Sequence, residues 1–278
     1  MQRYLENLIR KALEEDIGQE DLTTNNTVPK DQRCEARLYA KQDGILSGIK
    51  PFYMTFTLMG ADVDDWGACE DGHAFHKGDL LADFTGNTRE VLTAERTAMN
   101  FVQHLSGVAT LTARFVKELE GYKCRICDTR KTTPLMRQLE KAAVVHGGGF
   151  NHRHTLFNGI LIKENHITAA GGVRAAIEKA SEGTHHLMRI GIEVRTLEEF
   201  DAALDAGADV IMLDNLDLEP MREARRRVGD RKVLLEASGN ATPERVRDMA
   251  ETGVDVVSVG ALTHSAPAVD MSLIIQNV

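Results

Sequence analysis

From residue 123 onward the chain repeats one unit: a short apolar run rich in β-branched residues, a polar loop, then a helix-forming segment. The runs are KCRICDTR, GILIKENH, MRIGIEVR, DVIMLDN, KVLLEASG and DVVSVGA. Segments such as TLEEFDAALDAGA, EPMREARRRVG and TPERVRDMAETGV follow them, and the last four runs recur every 21 to 23 residues, the length of one βα unit. Runs that are apolar on both faces and alternate with helices predict parallel strands joined by right-handed crossovers. An open doubly wound sheet and a closed barrel both satisfy that pattern. Nearly every run, however, ends in polar residues with chemical potential, as the mouth of a barrel requires; an open sheet concentrates its site at one switch point. About 165 residues is short for an eight-fold barrel. The expected fold is therefore α/β, with a reduced or imperfectly closed parallel β/α barrel over residues 99–265.

Residues 1–98 read differently and are expected to form a separate N-terminal α/β domain, an α+β sandwich, with the C-terminal tail 266–278 packed on it. In MQRYLENLIRKALEEDIG, Leu5, Leu8, Ile9, Ala12 and Leu13 fall at helical spacing among charges, so the segment is a helix and not a signal peptide. DLTTNNTVP reads as a polar loop ending in Pro29. Short β-like runs follow around EARLYAKQDGILSG, ADVDDWG and GDLLADFTG, punctuated by Asp43-Gly44, Asp71-Gly72 and Gly86-Asn87. TREVLTAERTAMNFVQHLSGVATLTARFVKELEG is a long helix with a candidate break at Gly107.

Charge narrows the function classes. A formal net charge of -9 argues against a general nucleic-acid or anionic-membrane binder, because phosphate backbones attract basic surfaces. No apolar run is long enough to span a bilayer, and a cytoplasmic protein is the default expectation. Four cysteines, at 34, 69, 124 and 127, make neither a disulfide framework nor a zinc ribbon, and the CRIC pair reads as buried or half-buried thiols. One stretch runs against the overall charge. From Lys123 to His166 there are eight Lys/Arg and three acidic residues, a local cationic excess suited to a small anion.

The strand ends form one inventory. The first run ends in Asp128-Thr129-Arg130-Lys131, and the connection after it carries GGGFNHR with His152 and Arg153. LIKENH offers Lys163, Glu164, Asn165 and His166; the later ends offer Glu193, Asp214, then Glu236, Ser238 and Gly239, then Ser258 and Gly260. Converging on one mouth, they make a site half cationic and half anionic, suited to carboxylates or phosphates together with a metal or sugar hydroxyls. EASGN and SVGAL close the last two units, where backbone N–H groups of barrel loops often hold phosphate. Arg137 and Lys141, on a helix with Glu140, read as a solvated face, and Lys123 and Arg125 as strand flanks. Glu193 and Asp214 also admit a plain role as salt-bridge partners, and a strand-end lysine could form a Schiff base.

In order and content, EDIGQEDLTT, TAERTAMNFVQHLSGVAT, DTRKTTP, GGGFNHR, LIKENHI, EVRTLEEFDAALDAGADVIMLDN, LEASGN and ETGVDVVSVGALTHSAPAVDMSL resemble the quinolinate phosphoribosyltransferase family across nearly the whole chain. The resemblance implies transfer of phosphoribosyl from 5-phosphoribosyl-1-pyrophosphate to quinolinate, with loss of CO2 and a requirement for Mg²⁺. It implies that Thr129, Arg130, His152, Arg153 and Lys163 bind quinolinate, joined by Arg96 from a neighbouring subunit of a homodimer or larger assembly. Lys131, Glu193, Asp214, Ser238, Gly239 and Gly260 would bind the phosphoribosyl pyrophosphate, with Lys131, Glu193 and Asp214 catalytic and Glu193 and Asp214 toward the Mg²⁺. The chain departs from the family pattern at Leu135, where glycine is usual, and at Ala142, where tyrosine is common. His154-Thr155, Asn158 and Gly191 also depart, and none of these positions carries a substrate role. A related protein associated with molybdenum transport shares the fold, but NHR with LIKENH favours the quinolinate enzyme. A Schiff-base aldolase using Lys131 or Lys163, and a non-catalytic binding protein, are rivals of other classes.

Overall fold

The computed structural model of the chain describes residues 2–278. Its contacts divide into two compact units: residues 1–111, 134–148 and 265–278, and residues 112–133 and 149–264. The division runs inside a long helix, at Leu111 and not at the expected 98/99, and it assigns the insert 134–148 to the first unit.

In chain order the first unit begins with α1 (Gln2–Ile17), α2 (Leu22–Thr27), β1 (Arg33–Ala40), β2 (Gly44–Ile45) and α3 (Ile49–Met59). It continues with β3 (Asp64–Ala68), β4 (Ala74–Phe75), β5 (Leu80–Asn87) and the start of α4 (Thr88–Glu118). The tail returns as β12 (Met271–Asn277), which pairs antiparallel with β1 and completes a four-stranded sheet of order β12-β1-β5-β3. β1 buries every second residue, Cys34, Ala36, Leu38 and Ala40, as the two-residue period of a strand with one face on a core demands. Against that core lie Leu5, Ile9 and Leu13 of α1, Phe52 and Phe56 of α3, and Val91, Ala94, Ala98 and Val102 of α4. Phe52 and Phe56 meet edge to face at 5.1 Å.

Three local expectations are corrected. DLTTNNTVP is not a plain loop: Asp21 caps α2 by accepting the Thr24 N–H at 2.9 Å, which satisfies one orphan donor of the first turn. α3 had no signal because IKPFYMTFTLM is apolar almost all round, with little contrast between faces. α4 runs unbroken through Gly107. A Cβ there would lie 2.2 Å from the Pro267 carbonyl oxygen, so glycine allows the tail's backbone to approach the helix.

The second unit takes the C-terminal turns of α4, then β6 (Arg125–Cys127). After α5 (Arg137–His146), which belongs to the first unit, come β7 (Ile160–Ile162), α6 (Glu164–Ala170), α7 (Val173–Glu182) and β8 (Ile190–Val194). There follow α8 (Leu197–Asp205), β9 (Val210–Asp214), α9 (Leu218–Val228), β10 (Leu234–Ser238), α10 (Pro243–Glu251), β11 (Val256–Ser258) and α11 (Ala261–His264). All six strands are parallel, in the order β6-β11-β10-β9-β8-β7. Sequential strands are neighbours from β7 to β11, and β6 joins beside β11. That cyclic progression belongs to a barrel cut at one seam, whereas a doubly wound sheet reverses at a switch point. At the seam Phe150, not β7, covers β6: its N–H donates to the Ile126 carbonyl at 2.9 Å and its carbonyl accepts the Asp128 N–H at 3.1 Å. Arg125 lies over the Phe150 ring, 4.6 Å from its centroid.

The α5 expectation also fails. Glu140 and Lys141 are fully buried, and the Glu140 carboxylate is 2.8 Å from His104 Nε2. Charged residue types marked a solvated face, but α5 buries Ala143 and Val144 on the same side as this pair. The cysteines agree with expectation: Cys34, Cys124 and Cys127 are buried and in no disulfide, and burial pushes the Cys124 thiol up to about 11. Among the described residues, no helix is long and apolar enough to cross a membrane.

Candidate active site at the strand ends

The C-terminal ends of the six parallel strands enclose a cavity of 430 Å³ in the second unit. Thr129, Arg130, Lys131, His152, Arg153, Lys163, Glu193, Asp214 and Ser238 all line it, so most of the residues singled out from the sequence converge. Gly239 follows β10 and Gly260 follows β11 at the same end. Arg96 is exposed on α4 in the first unit.

The cationic half is built from two connections. Asp128 is fully buried, and its Oδ1 accepts the His152 N–H at 2.8 Å, tying the NHR segment to the end of β6. The Arg153 N–H donates to His152 Nδ1 at 2.8 Å, and Arg153 Nη1 donates to the Gly159 carbonyl at 2.7 Å. The Thr129 hydroxyl accepts the Lys131 N–H at 3.0 Å, and Thr263 Oγ1 donates to the Lys131 carbonyl at 2.8 Å. Burial first, then the like charge of Arg130, holds the Arg153 guanidinium below its ordinary value, with Glu193 opposing. The buried Nε atoms of Arg130 and Arg153 find no hydrogen-bond partner among the described residues. Two crowded guanidiniums with unspent donors are an electrostatic demand for an anion.

The anionic half stands across from it. Lys163 directly follows β7 and Glu193 lies on β8, and Lys163 Nζ donates to Glu193 Oε1 at 2.5 Å. Asp214, at the end of β9, accepts from Arg195 Nε at 3.4 Å, and the other end of Arg195 reaches Glu164 at 2.5 Å. Next to it Asn215, held at φ 56°, donates its N–H to the Ser238 carbonyl at 2.9 Å. Gly239 has φ 97° and a Cβ there would fall 2.0 Å from Asn215 Oδ1, so both conformation and space require glycine.

The sequence reading missed Asn215, Met212 and Leu161 as cavity residues, Arg195 as the partner of Asp214, and the depth of Glu236. The last signal was present. Glu236 and Ser238 are two apart on β10 and so share a face, and Ser238 lines the cavity. Burial pushes the Glu236 carboxyl up to about 7; Ser258 and Lys163 oppose the rise and Glu193 adds to it. Leu135, where the family pattern has glycine, keeps the left-handed backbone at φ 64°.

The same residues identify relatives. The quinolinate phosphoribosyl transferase N-terminal domain model matches residues 21–106 and the C-terminal domain model matches residues 108–274. The probable nicotinate-nucleotide pyrophosphorylase [carboxylating] of Bacillus subtilis is 40% identical over 269 residues, covering 97% of this chain and 92% of that protein. Its namesake in Methanocaldococcus jannaschii is 39% identical over 278 residues, covering 97% and 96%. The crystal structure of NadC from Streptococcus pyogenes superposes with a TM-score of 0.94 at 37% identity, covering 100% of this chain and 98% of that one. The Francisella tularensis nicotinate-nucleotide pyrophosphorylase gives 0.93 at 38%, covering 99% and 97%. The chain belongs to the quinolinate phosphoribosyltransferase family.

Proposed function

We propose that the protein transfers the phosphoribosyl group of 5-phosphoribosyl-1-pyrophosphate to quinolinate, releasing pyrophosphate and CO2 and leaving nicotinate mononucleotide, a step of de novo NAD biosynthesis. One observation carries this reading beyond family membership: a single cavity is lined by Arg130 and Arg153, whose Nε donors have no partner among the described residues, and by the carboxylates of Glu193 and Asp214. Quinolinate is a planar dianion, and the arginine fork matches a carboxylate bidentately. Arg130 and Arg153 grip its carboxylates, with Thr129, His152 and Lys163 as further partners. Arg96 enters from a neighbouring subunit of a homodimer or larger assembly.

The sugar takes the other half. Ser238 and the backbone around Gly239 and Gly260 hold the 5′-phosphate, where the absence of a side chain at 239 lets an anion approach the main chain. Lys131 meets the pyrophosphate. Glu193 and Asp214 bind the ribose hydroxyls and favour the positive charge that develops at the sugar carbon as pyrophosphate departs.

The donor set also fits Mg²⁺. No group of three metal-binding side chains occurs among the described residues, but Mg²⁺ typically keeps its waters and takes one or two carboxylates plus substrate phosphates. Glu193 and Asp214 supply those carboxylates. When bound, the ion neutralises charge on the leaving pyrophosphate. The ring nitrogen, once bonded to the sugar, would carry positive charge that stabilises the electron pair left on C2 as CO2 departs; that pair then takes a proton. No side-chain nucleophile is required. Positioning and charge supply the rate.

Schiff-base chemistry lacks its usual setting, since Lys163 is hydrogen-bonded to Glu193 rather than lodged in an apolar pocket. We place the enzyme in the cytoplasm, as the bacterial and archaeal relatives suggest, although plant relatives carry mitochondrial and chloroplastic names. Quinolinate binding to Arg130→Ala tests the assignment. It should weaken by roughly 1.5–3 kcal/mol while phosphoribosyl pyrophosphate binding is kept; unchanged quinolinate affinity would remove Arg130 from the pocket.

A further inference from the structure

Asn215, directly after β9, holds a backbone conformation that residues other than glycine seldom adopt. Five non-glycine residues have a left-handed φ, Asp62, Asp65, Leu135, Asn215 and Asn240, and of these Asn215 alone lines the cavity. The conformation is costly away from glycine, so the side chain it places there calls for a use. Three contacts define that side chain's setting. The Asn215 N–H donates to the Ser238 carbonyl at 2.9 Å, tying the end of β9 to the end of β10. Its Nδ2 donates to Asp214 Oδ1 at 3.2 Å. A carboxylate only accepts, so the amide nitrogen faces Asp214 and the amide oxygen faces Gly239, where it fills the space a Cβ on residue 239 would need. The other Asp214 oxygen meets Arg195 Nε at 3.4 Å, from a side chain that is more than half exposed and also paired with Glu164.

We propose that Asn215 is a positioning residue that joins the two halves of the phosphoribosyl site. Its amide nitrogen fixes the Asp214 carboxylate that receives the ribose hydroxyls, and its amide oxygen braces the Ser238–Gly239 turn that receives the 5′-phosphate. The proposal rests on phosphoribosyl pyrophosphate as the ligand. Position 215 makes two demands at once. The left-handed backbone suits glycine, asparagine and aspartate. Glycine would leave Asp214 Oδ1 without this donor, and aspartate would set a second carboxylate against the first. Of the three, only asparagine meets both demands. The amide is short and its backbone is anchored on Ser238, so the carboxylate it holds has little freedom left to lose when the sugar arrives. Arg195 is the looser partner: its side chain keeps Glu164 when Asp214 turns to a ligand. None of the hydrogen bonds of Asn215 reaches Thr129, Arg130, His152, Arg153 or Lys163, so its loss is felt on the sugar side.

Asn215→Gly is the test, because glycine keeps the backbone conformation and removes only the side chain. Calorimetric titrations of phosphoribosyl pyrophosphate with Mg²⁺, and of ribose 5-phosphate without it, read the two halves of the site together. Each ligand should bind the variant roughly tenfold more weakly, the low end for a hydrogen bond to a charged group, because the position is exposed. KM for phosphoribosyl pyrophosphate should rise alike. Quinolinate affinity should stay that of the wild type, and the melting temperature should stay within about 4 °C of it. Asn215→Ala, strained at φ 56°, should melt below the glycine variant and bind the sugar phosphates as weakly as it does. A residue that serves only the turn gives another pattern: the glycine variant binds like the wild type and the alanine variant does not. That pattern, equal weakening of quinolinate and the sugar phosphates, or a glycine variant that melts far below the wild type overturns the proposal and leaves the enzyme assignment intact. No binding of phosphoribosyl pyrophosphate by the wild type overturns both.

Discussion

Replacing Glu236 with glutamine should stabilise the free protein at alkaline pH and leave it unchanged at acid pH. The folded carboxyl titrates at about 7 against an ordinary value of 4.5. Between those values the folded chain keeps a proton that the unfolded chain has released, so stability falls as pH rises through the window and levels off above it. The shift corresponds to about 3 kcal/mol, or roughly 6–10 °C in melting temperature for a chain of this size. Glutamine keeps the shape and removes the ionisation. Thermal melts of both proteins at pH 4.5, 6 and 8 should therefore diverge only as pH rises, with the variant ahead at pH 8 by about that amount. A gap of constant size across the range, or a variant that melts lower at pH 8, would refute a buried carboxyl forced toward its neutral form.

Gly239→Ala should raise KM for phosphoribosyl pyrophosphate and cost about 1–3 kcal/mol, since φ 97° and the Asn215 side chain 2.0 Å from a Cβ both oppose it; steady-state kinetics and a denaturation curve read the two effects. Gly107→Ala should destabilise by about 1–3 kcal/mol through collision with the Pro267 carbonyl, seen as a lower denaturation midpoint. Leu135→Gly should stabilise slightly, by less than about 1 kcal/mol, because relief of a left-handed backbone outweighs glycine's added entropy in the unfolded chain. The lost side chain is 70% exposed and contributes little, and the Tyr4 hydroxyl's hydrogen bond to the residue 135 carbonyl can remain.

The six parallel strands and the cavity they surround were legible because burial on both faces and the βα repeat are properties of consecutive residues. Arg130, Lys163, Glu193 and Asp214 stand at the ends of apolar runs in the sequence, and His152 and Arg153 in the connection after the first. What local patterns cannot carry is pairing across long separations. Nothing in DTRK or GGGF tells that Phe150, rather than β7, covers β6. Burial of charge is equally silent: Glu140 and Lys141 look like any solvated helix pair, and their environment comes from elements far away in sequence. Leu135 shows a different limit. The departure from glycine was visible, but only the backbone shows that the turn keeps the glycine conformation with leucine in it.

On the proposed function, this cavity reads two carboxylates and removes one of them. Incubating the protein with phosphoribosyl pyrophosphate, Mg²⁺ and quinolinate labelled in its 2-carboxylate tests it directly, with nicotinate as the competing acceptor. Nicotinate mononucleotide and labelled CO2 should form in equal amounts from quinolinate, with no comparable turnover of nicotinate. Product without labelled CO2, equal use of nicotinate, or no product at all would contradict it.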